Sequence, residues 1–258
     1  QSTAVDPITL EVIQAYLVNT VREMRSIIQR SSYTPTLCET VDFACGIVSS
    51  KAELVAMSED LPLHIFAVAW HVKLAKELYG EDMHPGDLYL SNDPYTSGPH
   101  LNDMLHIRPF FYDGRLSLMI AARVHWLDVG GKSRGSLTGQ SREIYEEGVR
   151  VPMVKLYNKG EFNEDLFQTL LANMRNPEER YGDFEATVGA LNTAEQRLTE
   201  LYDKYGSGTV EASVDTMLDR SESVVRRAIE KLPDGEYYYE EYLENNGMNE
   251  KPLALRCK

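Results

Sequence analysis

Apolar residues recur at three- and four-residue steps through Leu10, Ile13, Leu17, Val21, Met24 and Ile28, the spacing that lines one face of an α-helix. Asp6 followed by Pro7 supplies a cap and the residue that suits a first helical position, so the helix is predicted to begin there. After a break at Tyr33-Thr34-Pro35, the runs Asp42–Val48 and Glu53–Met57 read as two short strands joined through Ser49-Ser50-Lys51. A second helix is predicted over Ile65–Tyr79, stopped by Gly80.

From His84 to Gly131 the texture is strand and turn. Asp87–Leu90 precedes the turn residues Asn92-Asp93-Pro94, and Met104–Tyr112 and Arg115–Val124 flank Asp113-Gly114, a dipeptide that marks a tight hairpin. Gly135–Val151 is polar and punctuated by glycine, which suggests a long ordered loop with its own task. Helical periodicity returns over Asn163–Met174, Asn176–Tyr205 and Thr209–Leu232, with Gly206-Ser207-Gly208 as a joint. A strand is then expected over Tyr237–Leu243, and a further extended run begins just before Lys258. A lone hairpin is marginal in water, so the rest of that sheet is expected in additional residues or in another chain. The pattern predicts an α+β fold: a mixed region centred on an antiparallel hairpin over 1–160, a helical region over 161–232, and the start of a further β region over 233–258.

The 258 residues are 43% hydrophobic and 26% charged, an ordinary globular balance. Lys and Arg number 26 against 40 Asp and Glu, a net charge of -14 that repels phosphate backbones and anionic membrane surfaces. Nucleic acid and membrane are therefore not expected as partners. The sequence shows neither an apolar run of spanning length nor a basic-then-apolar leader, and a cytoplasmic location is expected. Cys38, Cys45 and Cys257 are too few and too irregular for a disulfide framework or a cysteine zinc site.

Two copies of His-x-x-Asp, His100-Leu-Asn-Asp103 and His125-Trp-Leu-Asp128, stand at the ends of the predicted hairpin. If Asp113-Gly114 is a two-residue turn, opposed positions sum to 227 and His125 lies across from Asn102, between His100 and Asp103. Cross-strand neighbours are about 4.5–5.5 Å apart. Two imidazoles and a carboxylate form the ligand set of catalytic zinc, manganese and non-haem iron centres, which keep positions open for a reactant. On spacing alone a plainer reading stands beside it, with polar residues closing strand ends and Asp103 and Asp128 capping turns. His64, His71, His84 and His106 have no acidic neighbour at ligand spacing and read as structural or exposed. Gly131-Lys132-Ser133 ends like a phosphate loop, but Trp126 occupies the place of its first glycine. The acidic run Glu143–Glu147 reads as a solvated face, although Arg142 and Glu143 lie on a loop that could reach the hairpin end.

Several motifs occur in one order along the chain. They are Asp6-Pro-Ile-Thr-Leu-Glu-Val-Ile13, Asp42-Phe-Ala-Cys45, Pro85-Gly-Asp-Leu-Tyr-Leu-Ser-Asn-Asp-Pro-Tyr95, Gly98-Pro-His-Leu-Asn-Asp103, His125-Trp-Leu-Asp-Val-Gly-Gly131 and Ser141-Arg-Glu-Ile-Tyr-Glu-Glu-Gly148. Together they resemble the hydantoinase B/oxoprolinase family, which includes B-type subunits of ATP-dependent hydantoinases and lactamases, part of 5-oxoprolinase, and related subunits of ketone carboxylases. The resemblance implies a divalent ion, zinc, manganese or iron, held by Asp42, His100, Asp103 and His125, with Asp128 orienting His125. It implies a hetero-oligomer in which a separate A-type, ATP-binding subunit phosphorylates a small cyclic amide, which is then opened at the metal. Asp128 and Glu143 are the candidates for carrying a proton in that step. Carboxylation of a ketone is the alternative within the family, and a non-catalytic scaffold is the alternative outside it. Family members continue well past the point where this sequence stops, so a fragment of a larger subunit is expected.

Overall fold

The computed structural model describes residues 5–96, 98–245 and 251–258. Helix α1 (Pro7–Ser31) opens as its sequence predicts, with the Asp6 carboxylate accepting from the Thr9 amide at 2.9 Å and Pro7 in the first turn. Its apolar stripe from Leu10 to Ile28 is buried. The chain continues through α2 (Pro35–Cys38), β1 (Phe43–Ser49), β2 (Leu54–Met57), α3 (Pro62–Phe66), α4 (Val68–Tyr79), β3 (Leu88–Ser91), β4 (Asp103–Tyr112) and β5 (Arg115–His125). It then forms β6 (Val154–Asn158), β7 (Glu161–Phe162), α5 (Glu164–Ala172), α6 (Pro177–Tyr205), α7 (Ser207–Ile229), β8 (Tyr239–Leu243) and β9 (Leu253–Cys257).

Seven strands make one antiparallel sheet in the order β2-β1-β5-β4-β3-β6-β7, and β8 and β9 pair with each other as a largely exposed hairpin. The architecture is α+β. Strands β6 and β7 extend the sheet beyond the sequence-based reading, and β7 lies at the start of the region read as helical. A two-residue strand carries no alternation to detect.

The central strands are buried on both faces, so their sequences read as nearly continuous apolar runs. Alternation still divides them. Phe43, Cys45, Ile47, Met104, Phe110, Ile120, Ala122 and Val124 pack with α1 and α6, whereas Ala44, Val48, Leu105, Ile107, Met119 and Ala121 pack with Val68, Val72 and Ala75 of α4. The helical region shares its core with the strands: Leu191, Ala194 and Leu198 of α6 belong to the same cluster as Ile13 and Leu17. Among the described residues no helix is long and apolar enough to cross a membrane.

His106 sits on the α6 side, fully buried, with its ring centroid 6.2 Å from that of Trp126 and 5.9 Å from that of Phe184. Burial pushes its imidazole down to about 4. The unfolded chain takes up this proton below pH ~6.5, so the stabilising contribution is complete above that pH and is lost as pH falls toward 4. Replacing His106 with Phe should remove this part of the acid sensitivity. In urea titrations, the wild type should lose about 2 kcal/mol more than the variant between pH 7 and pH 4.5; parallel losses would contradict the assignment.

Candidate metal centre

The site is built by the β4–β5 hairpin and depends on one irregularity in it. Asp113 and Gly114 both have positive φ, 48° and 74°, the geometry that matches strand twist in a two-residue turn. Next to the turn, Tyr112 pairs with Arg115 and Phe111 with Leu116, as the two-residue turn predicts. Phe110, however, pairs with Leu118, which leaves Ser117 as a bulge. Every pair beyond it is displaced by one residue, and His125 comes to lie opposite Asp103 rather than Asn102. This corrects the register expected from the turn alone. It also decides the chemistry, because directly opposed residues share a face and a one-residue slip exchanges faces.

On the other side of β5, the Asp42 carbonyl accepts from the His125 amide at 3.0 Å, one step beyond the Phe43–Val124 pair. Asp42, His125 and Asp103 thus form a row across the ends of three adjacent strands, on the face covered by α4. His125 Nδ1 lies 2.7 Å from Asp103 Oδ1, and His100 Nδ1 lies 3.2 Å from Asp103 Oδ2, which also accepts from the His100 amide at 3.0 Å. The two rings meet edge to face with centroids 5.9 Å apart. Asp42 Oδ2 is 3.8 Å from His125 Nδ1. Asp103 and His125 are buried, Asp42 is half-buried and His100 is exposed, so the cluster has a closed floor and an open side.

Burial alone would raise the Asp103 carboxyl, but the hydrogen bonds from His100 and His125 outweigh it and hold the group well below the usual carboxylate range. The same bond to Asp103 raises the His100 imidazole against its partial burial. Beneath the cluster, two residues back along β5, Arg123 is wholly buried with Nη2 2.9 Å from His71 Nδ1. Burial lowers this guanidinium to about 10, and the Asp103 charge acts in the opposite direction. Burial, followed by the Arg123 charge, pushes His71 down to about 4.

One residue that lacked any sequence signal joins the site. His64, on α3, is buried, with Nε2 2.7 Å from Asp42 Oδ1 and Nδ1 3.9 Å from Asp103 Oδ1. Its acidic neighbour is 22 positions away, a separation that no local motif reports. Asp128 goes elsewhere. Its carboxylate accepts from the Gly130 and Gly135 amides at 2.8 and 2.9 Å and pairs with Arg175 at 3.0 Å, and none of these bonds involves His125. Arg175 also donates to the carbonyls of Gly131 and Ser133, so the pair clamps the loop after β5. Gly131 has φ 84°, and a Cβ there would stand 2.6 Å from the Glu146 carbonyl oxygen, so a side chain would part the two halves of this loop. Glu143 is exposed at the entrance to the one-turn helix Ile144–Glu146, and among the described residues no ion pair joins it to the cluster. The loop residue whose charge does act on His100 is Glu147.

The sequence profile of the family described as Hydantoinase B/oxoprolinase matches residues 6–258. The chain is 32% identical to the beta chain of the caprolactamase of Pseudomonas jessenii over 254 residues, covering 98% of this chain and 44% of that one. It is 32% identical over 260 residues to the B-type subunit of a putative D-/L-hydantoinase of Pseudomonas sp. (strain NS671), covering 97% and 44%. The crystal structure of the ATP-dependent caprolactamase from Pseudomonas jessenii superimposes with a TM-score of 0.88 at 31% identity, over 94% of this chain and 42% of that one. The chain therefore spans less than half the length of these relatives.

The clamp makes its own prediction. Arg175→Met leaves the buried Asp128 carboxylate without its cation and should cost about 2 kcal/mol of stability, read as a lowered thermal midpoint. Limited proteolysis should then cut first between residues 128 and 148; unchanged cleavage kinetics would show that the loop is held by other contacts.

Proposed function

Since the chain belongs to the hydantoinase B/oxoprolinase family, we propose that it forms the metal-bearing part of an ATP-dependent cyclic amide hydrolase that works with an A-type, ATP-binding subunit. The observation that carries this reading is the convergence of His100, Asp103 and His125, whose ligand atoms lie within 4.8 Å of one another. Two ligands held at about 2.1 Å from one ion stand at most ~4 Å apart, so a small contraction of these side chains closes the set. Asp42 would complete it from the β1 side. Two imidazoles with carboxylates suit zinc, manganese or iron equally.

An ion so held would supply Lewis acidity toward an oxygen of the reacting group. The chain's own residues prepare that role. Asp103 is ionised at neutral pH, so it needs to lose no proton to act as a ligand. The buried Asp103 and His125 fix the floor, while the exposed His100 and half-buried Asp42 border the side from which a reactant enters.

An amide is a poor electrophile, and ATP supplies the activation. The phosphate-binding role is assigned to the partner, which fits the run ending in Gly131-Lys132-Ser133, where Trp126 stands in place of the first glycine of a phosphate loop. Phosphorylation of the carbonyl oxygen there makes a leaving group. ADP leaves in that step; water then adds to the same carbon and the ring C–N bond opens with the nitrogen taking up a proton, leaving an acyl phosphate that a second water hydrolyses to the ring-opened acid and inorganic phosphate.

The test combines this chain, the remainder of its subunit and the A-type partner with ATP and a panel of lactams, hydantoins and 5-oxoproline. Ring-opened product should appear in step with ADP. His100→Ala/His125→Ala should lower turnover at least ~100-fold and remove the bound metal. Ketone-dependent fixation of labelled bicarbonate without ring opening would overturn the hydrolase reading in favour of a carboxylase. Wild-type metal content in the double variant would overturn the ligand assignment.

A further inference from the structure

Asp42 enters the cluster from an irregular turn ahead of β1. It follows Val41, a β-branched residue at φ 55°, where a non-glycine backbone is strained. The amide of Phe43 closes a tight turn on the Val41 carbonyl at 2.9 Å, so the backbone swings sharply as it enters β1. The Asp42 carboxylate is half-buried, and its close side-chain contacts among the described residues are His64, at 2.7 Å, and His125, at 3.8 Å. Its two side-chain torsions leave the direction of the carboxylate to be fixed by a partner.

His64 is placed to do this. Its side chain is 3% exposed, and the α3 turn is fixed by Pro62 and by the His64 amide donating to the Leu61 carbonyl at 3.1 Å. Because the carboxylate can only accept, Nε2 is the donor to Asp42 Oδ1. That bond orients the ring so that Nδ1 faces Asp103 Oδ1 at 3.9 Å, and among the described residues Nδ1 makes no hydrogen bond of its own. The ring lies between the two carboxylates that flank His125 and is hydrogen-bonded to Asp42 alone of the two. Ligating carboxylates are commonly held by such outer hydrogen bonds, and losing the partner weakens metal binding about 10–100-fold.

We propose that His64 is a positioning residue for the metal centre: its Nε2–H bond holds Asp42 Oδ1 and turns Oδ2 toward the ion site shared with His125. The assignment rests on the metal-centre reading above and adds to it a residue outside the four ligands. It implies that His64 contributes to metal affinity only through Asp42.

Equilibrium dialysis of the 258-residue chain against Mn2+, with metal analysis and the EPR signal of the bound ion, tests this. His64→Phe keeps the bulk and deletes the bond; it should weaken Mn2+ binding about 10–100-fold and broaden the EPR signal. His64→Gln, which can place an amide donor near Asp42, should recover most of the affinity. In an Asp42→Ala background, His64→Phe should have no further effect. If His64→Phe does not fold by circular dichroism, the comparison of His64→Gln with His64→Asn, too short to reach, gives the same readout. Wild-type affinity in His64→Phe or His64→Asn would overturn the His64 assignment and leave the metal centre standing. An equal loss with and without Asp42 would also overturn it, showing that His64 acts on its own. Absence of Mn2+ and Zn2+ binding by the wild type would overturn both the centre and the assignment.

Discussion

The pairing of Asp103 with His125 across β4 and β5 is the constraint on which the rest of the site depends. It is set by Ser117, the one residue in this hairpin without a partner position. Without that bulge, the two-residue turn would put Asn102 opposite His125, and Asp103 would point to the α6 side with Met104's neighbours rather than toward α4. With it, three strand ends present Asp42, His125 and Asp103 side by side on one face. A bulge near the turn end of the eleven-residue β5, far from His125, thus decides, through register, which groups can share a cation.

The second constraint is electrostatic. Asp103 is buried with its charge, which is costly unless hydrogen bonds or cations offset it. Three donors from His100 and His125 meet its two oxygens, and Arg123 lies deeper on the same face, buried against His71. The opposite face of the sheet carries Met104, Val124 and the ring of Trp126 into the core with α1 and α6 at this end. The sheet therefore separates a dry packing face from a polar face that opens at His100. The loop clamped by Asp128 and Arg175 closes the end of the hairpin without contributing its carboxylate to the cluster.

Much of this was readable from the sequence because the strongest signals are local. The Asp6-Pro7 start, the six-residue apolar stripe of α1 and the Asp113-Gly114 turn each report a conformation within a few residues of themselves, and the two His-x-x-Asp copies pointed to the hairpin end. The ordered motifs pointed to the family, which residues 6–258 match. What stayed hidden was non-local. The Ser117 bulge has no signature in Arg115-Leu-Ser-Leu, since the side chains around it alternate normally. His64 depends on where α3 lands, and Asp42 entered only through resemblance because nothing in its spacing ties it to His125. Asp128 and Glu143 show the limit from the other side: the first is expected to orient His125 and the second to reach the hairpin end from its loop, whereas backbone amides and Arg175 hold the Asp128 carboxylate and the Glu143 side chain is exposed.

The most direct measurement of the central claim is a crystal structure of the protein with Mn2+, with diffraction recorded on both sides of the manganese absorption edge. The account predicts one anomalous peak bounded by His100, Asp103, His125 and Asp42, at bond lengths of about 2.0–2.2 Å. An ion bound away from these four residues, or imidazoles of His100 and His125 turned apart with no peak between them, would contradict it.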